Sequence, residues 1–178
     1  MVTLIIGGSG SGKSAYAEEY ICKKAGKNSK YYIATMKAAD KESKDRIEKH
    51  RNMRKDKCFI TIECPVNIGG LAREDLTDSS YALLECMSNL VANEMFSDSE
   101  PKPAATVVEK IVKDIKALAS KLDSLVIVSN NIFEDGIEYD PYSMEYISAL
   151  GLINQKLSDM AEEVIEVVVG LPVKIKYK

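Results

Sequence analysis

The chain has 178 residues, 46% hydrophobic and 29% charged, the composition of an ordinary globular protein with enough chain for one domain and a substantial core. Its net charge of −3 argues against a nucleic-acid binder working by general electrostatics. No window approaches the ~20 apolar residues of a membrane span, and the start lacks the basic and apolar regions of a cleaved signal. Cys22, Cys58, Cys64 and Cys86 form no C-x-x-C pair, which points to reduced thiols in a cytoplasm and away from a zinc site.

The apolar run Leu4-Ile5-Ile6 predicts a strand that feeds directly into Gly7-Gly8-Ser9-Gly10-Ser11-Gly12-Lys13-Ser14. This matches the phosphate-binding pattern G-x-x-x-x-G-K-[ST], with a helical pattern behind it. Glycines let successive N–H groups curl inward toward phosphate oxygens, and the following helix N-terminus adds positive potential. Lys13 is placed to reach the β- and γ-phosphates, and the Ser14 hydroxyl to ligate Mg2+. A Gly/Ser-rich turn can match the pattern by accident, but the strand-loop-helix context favours a nucleotide site. ATP and GTP are both open as the triphosphate.

Ala15 to Ala25 reads as a helix stopped at Gly26, and Tyr31 to Thr35 as a second strand. Asp40 to Lys57 is densely charged and helical in propensity to about Arg54. His50, the chain's one histidine, lies four residues after Arg46 and four before Arg54, so the three share a helical face. A neutral imidazole is a nucleophile near neutral pH, and flanking guanidiniums suit a triphosphate and departing pyrophosphate. The same pattern describes a solvated charged face, and spacing alone leaves both readings open.

Phe59 to Glu63 has strand character, and Pro65 and Gly69-Gly70 interrupt regular structure beyond it. Tyr81 to Leu84 is a short buried strand ending at Glu85, with a helix from Met87 to Phe96. An acid at a strand tip is where nucleotide-using folds hold magnesium or its waters; the alternative is an acid that only stabilises the next helix. The linker-like Ser97 to Pro103 is too short to separate domains. Next come a helix over Thr106 to Leu122, a strand over Leu125 to Val128, a loop over Asn130 to Tyr142 and a helix over about Ser143 to Glu162. Val164 to Val169, a Gly170-Leu171-Pro172 turn and Val173 to Lys176 predict a closing hairpin. Alternating strands and helices imply an α/β fold, a mainly parallel sheet with helices on both faces and an antiparallel end. The loop, Thr35 and Glu85 then meet at the carboxyl ends of the strands.

These residues together resemble the bifunctional cobinamide kinase/cobinamide-phosphate guanylyltransferase family of cobalamin biosynthesis. The likeness spans nearly the whole chain: G-G-S-G-S-G-K-S, Tyr32 to Thr35, R-I-x-x-H-x-x-x-R from Arg46 to Arg54, L-L-E-C from Leu83 to Cys86, V-S-N from Val128 to Asn130, G-L-I-N-Q-K-L from Gly151 to Leu157, and G-L-P-V-K-I-K from Gly170 to Lys176. The resemblance implies a RecA-like P-loop fold and a homotrimer. It implies phosphorylation of the aminopropanol hydroxyl of adenosylcobinamide, then GMP transfer from GTP through a guanylylated histidine. His50 matches that histidine, and Lys13, Ser14 and Glu85 match the phosphate- and magnesium-binding residues. The chain departs from the family's usual residues at Asn131 (an acid), Met144 (an arginine) and Ser148 (an aspartate), with Glu134 and Asp135 near the first. A kinase for another alcohol and a GTP-binding regulatory subunit without turnover are the alternatives.

Overall fold

The structure, a computed structural model, describes residues 1–37, 47–48, 51–52, 54–71, 76, 80–98, 100–132 and 139–177. Seven strands form one sheet: β1 (Val2–Gly7), β2 (Lys30–Ala34), β3 (Ile60–Glu63), β4 (Tyr81–Glu85), β5 (Ser124–Asn130), β6 (Glu163–Val168) and β7 (Leu171–Tyr177). Their spatial order is β3-β2-β4-β5-β1-β6-β7, with every pair parallel except the β6–β7 hairpin. The central strands are near-continuous apolar runs, as sheets covered on both faces require.

Helix α1 (Lys13–Ala25) packs on one face, where Ile5, Leu83, Val126 and Ile165 meet Ala17 and Ile21. The other face carries α2 (Met87–Met95), α3 (Ala104–Ala119) and α4 (Pro141–Met160) over Leu4, Ile33, Leu84 and Ile127. Val107, Ile111, Ile115 and Leu118 recur on one stripe of α3, and all are buried. The predicted α/β architecture and its antiparallel ending are both present.

Differences from the expected boundaries have local causes. Helix α4 begins at Pro141, before Ser143, because Asp140 caps it: Asp140 Oδ1 accepts from the Tyr142 N–H at 2.9 Å and the Ser143 N–H at 3.1 Å. Proline at the first helical position sacrifices no intrahelical hydrogen bond. The closing turn is Val169-Gly170, with φ of 45° and 83°, and not Gly170-Leu171-Pro172. Positive φ at both central residues gives a two-residue turn whose twist matches the strands. Pro172 then sits in β7, an edge strand, where its missing N–H is tolerated.

Register decides what meets at the carboxyl ends. Ala34 of β2 stands opposite Glu85 of β4 on one side and Glu63 of β3 on the other. Gly7 of β1 stands opposite Asn130 of β5.

Candidate active site

The phosphate loop joins β1 to α1. Gly7 admits no side chain: a Cβ there would lie 2.6 Å from Ser11 Oγ and 2.7 Å from the Val167 carbonyl oxygen. Gly12 has φ of 88°, the left-handed conformation that opens α1. The loop is braced from outside as well, since the Gly170 N–H of the β6–β7 turn donates to the Ser11 carbonyl at 2.8 Å. Lys13 is buried and folds back over the loop, its Nζ donating to the Gly8 carbonyl at 3.0 Å. Burial lowers its pKa from the ordinary 10.5, while the negative potential of Cys86 and Glu85 acts the other way. Those two attractions couple the lysine electrostatically to the end of β4. Ser14 follows in the first turn of α1.

The end of β4 is held by Thr35, which the sequence places at the same mouth, and by Asn93, which sequence reading did not single out. Thr35 Oγ1 accepts from the Cys86 N–H and donates to the Cys86 carbonyl, each at 2.7 Å. Asn93 of α2 donates to the carbonyls of Thr35, at 2.7 Å, and Pro65, at 3.0 Å, tying the exits of β2 and β3 together. Glu85 Oε2 is buried and, among the described residues, has no hydrogen-bond partner. A buried carboxylate oxygen left open is costly unless a cation completes it. Tyr32, one turn of the pleat back on β2, has its hydroxyl pKa raised by burial and by the Glu85 charge, and hydrogen-bonds that carboxylate.

His50 and Arg46 lie outside the described residues. Ile47, Glu48, Arg51, Asn52 and Arg54 are described and helical, in keeping with the predicted helix. Arg54 is buried, its guanidinium 3.5 Å from the centre of the Tyr32 ring. It stands 3.9 Å from Glu18 of α1, which pairs more closely with Lys57 at 2.5 Å. Nε and Nη1 of Arg54 have no hydrogen-bond partner among the described residues. The segment therefore docks onto the α1 face of the sheet through Tyr32. Between it and the strand ends lies a pocket bordered by Ala34, Met36, Ile47, Arg51, Arg54, Glu63, Glu85 and Asn89, among others.

On the opposite face a polar chain joins β5 to α2 and α4. Asn130 Nδ2 donates to Ser88 Oγ at 2.9 Å, the Ser129 hydroxyl to Asn154 Oδ1 at 2.6 Å, and Asn154 Nδ2 to the Asn130 carbonyl at 3.3 Å. Tyr146 donates to the Ser88 carbonyl at 3.3 Å, with its pKa pushed up to about 12 by burial and then by Cys86. Asn131 and Ser148, two of the departures noted in the sequence, line one groove beside Ile6, and Met144 is half exposed. Glu134 and Asp135 fall outside the described residues.

A family model described as cobinamide kinase / cobinamide phosphate guanyltransferase matches residues 3–175. The chain is 31% identical over 185 residues to the bifunctional adenosylcobalamin biosynthesis protein CobU of Salmonella typhimurium, covering 99% of this chain and all of that one. It is similar to the Escherichia coli protein of the same name to the same degree, with 31% identity over 186 residues. It is 28% identical to the bifunctional adenosylcobalamin biosynthesis protein CobP of Pseudomonas aeruginosa, over 99% of this chain and 98% of that one. Among solved structures, it resembles the flagellar accessory protein FlaH of Methanocaldococcus jannaschii (TM-score 0.51, 14% identity, 99% of this chain and 78% of that one). It also resembles a KaiC-like protein of Pyrococcus horikoshii (TM-score 0.51, 13% identity, 93% of this chain and 69% of that one). At such identities these likenesses speak for the fold, that of P-loop nucleoside triphosphatases.

Proposed function

This chain belongs to the cobinamide kinase / cobinamide phosphate guanyltransferase family, and we propose that it carries both activities as one domain. In the first, the aminopropanol hydroxyl of adenosylcobinamide attacks the γ-phosphorus of a nucleoside triphosphate. The bond to the bridging oxygen breaks, the diphosphate leaves and the hydroxyl gives up its proton. In the second, an imidazole nitrogen of His50 attacks the α-phosphorus of GTP and pyrophosphate departs. A phosphate oxygen of cobinamide phosphate then takes the GMP and frees the histidine.

The observation that carries this reading is the buried Glu85 carboxylate at the tip of β4, whose charge acts on Lys13 of the phosphate loop and which borders one pocket with Arg54. The loop amides and Lys13 bind and orient the β- and γ-phosphates, where negative charge shifts during transfer. Arg54 and Arg46 are proposed to steady the nucleotide on the histidine side. The Nε of Arg54, without a hydrogen-bond partner among the described residues, supports that role. The open Oε2 of Glu85 fits a divalent cation, and Ser14 with Glu85 would hold Mg2+, directly or through water. When bound, the ion supplies neutralisation of phosphate charge.

The chain is further proposed to work as a homotrimer in the cytoplasm. Consistent with that setting, no described helix is long and apolar enough to cross a membrane. Alternate residues Leu171, Val173, Ile175 and Tyr177 of edge strand β7 are exposed apolar side chains of the kind a subunit contact would cover. Incubation of the purified protein with adenosylcobinamide, magnesium, ATP and GTP, followed by mass spectrometry, tests the activity. Successive masses of the phosphate and the GDP derivative are expected, and unchanged cobinamide would overturn the assignment.

A further inference from the structure

We propose that Cys22 and Cys58 are a redox-active pair, joined by a reversible disulfide that pins the turn after Arg54 to α1. Neither thiol takes part in the reactions above, and the fold brings both to one end of the sheet. Helix α1 runs back from the carboxyl ends of the strands, so Cys22, in its third turn, lies toward their amino ends. Cys58 follows the short 3-10 turn Lys55–Lys57 and precedes β3, at the amino end of that strand.

The residues beside each cysteine are already in contact. Lys57 pairs with Glu18 Oε2 at 2.5 Å, and Glu18 stands one turn before Cys22 on the same flank of α1. Phe59 packs with the cluster that holds Ile21, and meets the Tyr32 ring edge-on at 5.9 Å. Cys58 is therefore bracketed by two anchors onto the α1 face, and Cys22 is flanked by the residues that receive them. Burial pushes the pKa of the Cys22 thiol up, Lys30 and Lys57 pull it down, and Cys58 is near enough to act on it as well. The other two thiols have partners elsewhere: Cys64 Sγ donates to the Val66 carbonyl at 3.2 Å, and Cys86 Sγ lies 3.0 Å from Ser88 Oγ.

Exposure gives the two cysteines different roles. Cys58 is exposed and borders an open groove with Arg54, Lys55 and Arg51, the last paired with Glu63. Such cations favour a thiolate and draw in a disulfide that carries carboxylates, the class of glutathione disulfide. The Cys58 thiolate attacks one sulfur of that disulfide, the S–S bond breaks and one thiolate leaves. Half-buried Cys22 then attacks the Cys58 sulfur of the mixed disulfide and expels the second thiolate. Two electrons pass from the protein to the small disulfide, and the two protein thiols give up the protons that the departing thiolates take.

A disulfide needs its two Cα atoms within about 7 Å, so closure swings the Lys55–Lys57 turn onto α1. Cys58 leaves a left-handed conformation (φ 54°) that a residue with a Cβ holds at a cost. Arg54 caps that turn, lies on the Tyr32 ring and borders the Glu85 pocket. Oxidation therefore shifts an arginine of the pocket, a consequence that rests on the nucleotidyl-transfer reading.

The test is oxidation of the full-length protein with glutathione disulfide, followed by peptide mapping without reduction and by assay of GMP transfer. The Cys22 and Cys58 peptides are expected to be linked, with the loss of two hydrogens and full reversal by dithiothreitol. Cys22→Ser should stop at one glutathione on Cys58, and Cys58→Ser should form no link. GMP transfer by the oxidised parent should fall about 10-fold or more and return on reduction, while Cys58→Ser keeps its rate under the same treatment. Linkage of other cysteines, a mixed disulfide on Cys58 that Cys22 never resolves, or a linked protein with undiminished GMP transfer overturns the proposal. The outcome is separable from the wider reading: a reversible Cys22–Cys58 link in a protein that forms no GMP adduct when reduced keeps the pair and removes the transferase.

Discussion

Two buried cations sit within this site, and their surroundings differ. Lys13 is held by a backbone carbonyl of its own loop and feels the charge of Glu85, whose Oε2 has no hydrogen-bond partner among the described residues. Arg54 lies flat on an aromatic ring, backed by Glu18, which already has Lys57. The first arrangement leaves charge available to a ligand in a fixed place. The second anchors the Arg54 stretch to the sheet through the guanidinium plane, with Nη1 on the Glu18 side and Nε without a hydrogen-bond partner among the described residues. Substrate-facing charge is thus set by the loop, and segment-positioning charge by stacking and burial.

The difference is broken most severely at Lys13. Lys13→Ala should lower phosphoryl transfer by roughly 10²- to 10³-fold without unfolding the chain, measured as turnover alongside a thermal melt. Because burial lowers its pKa, Lys13 should lose its proton below the range of exposed lysines. Triphosphate affinity should therefore fall as pH rises through the alkaline range, beginning below pH 10.5, and Lys13→Arg should abolish that dependence. The next effect is at Glu85. Glu85→Gln keeps shape and removes charge, so activity should fall about 10²-fold and the magnesium requirement should shift upward, read from a metal titration. Identical titrations for parent and variant would remove Glu85 from the metal site.

How far all this was legible in the sequence depended on distance along the chain. The phosphate loop is a local pattern, and the strand before it and helix after it were equally local. Glu85 was legible because an apolar run ending in an acid needs no partner to be seen. The row Glu63–Ala34–Glu85 was not, because β2 lies between β3 and β4 only in space, and neither strand order nor register is written in adjacent residues. The staples made by Thr35 and Asn93 were invisible for the same reason. Pro172 reads as a strand breaker and moves the expected turn past Gly170, but that rule holds for central strands and not for an edge.

Smaller effects sharpen the contrast. Arg54→Ala removes a desolvated stack worth about 2 kcal/mol and should lower stability by a similar amount, seen in denaturant melts. Nucleotidyl transfer should suffer more than the kinase step if this arginine holds the histidine segment in place. At the other end of α1, Tyr20 donates to Glu163 at 2.5 Å, and burial followed by that bond pushes its pKa up to about 12. Tyr20→Phe should cost about 1 kcal/mol of stability in the same melts.

The division of labour between loop and histidine is tested most directly by α-phosphate-labelled GTP. The labelled protein should carry GMP on His50 as a phosphoramidate, lost in acid and stable in alkali, located by peptide mapping. His50→Asn should carry no label while still phosphorylating cobinamide with ATP. Label on another residue, or undiminished GMP transfer by His50→Asn, would contradict the account.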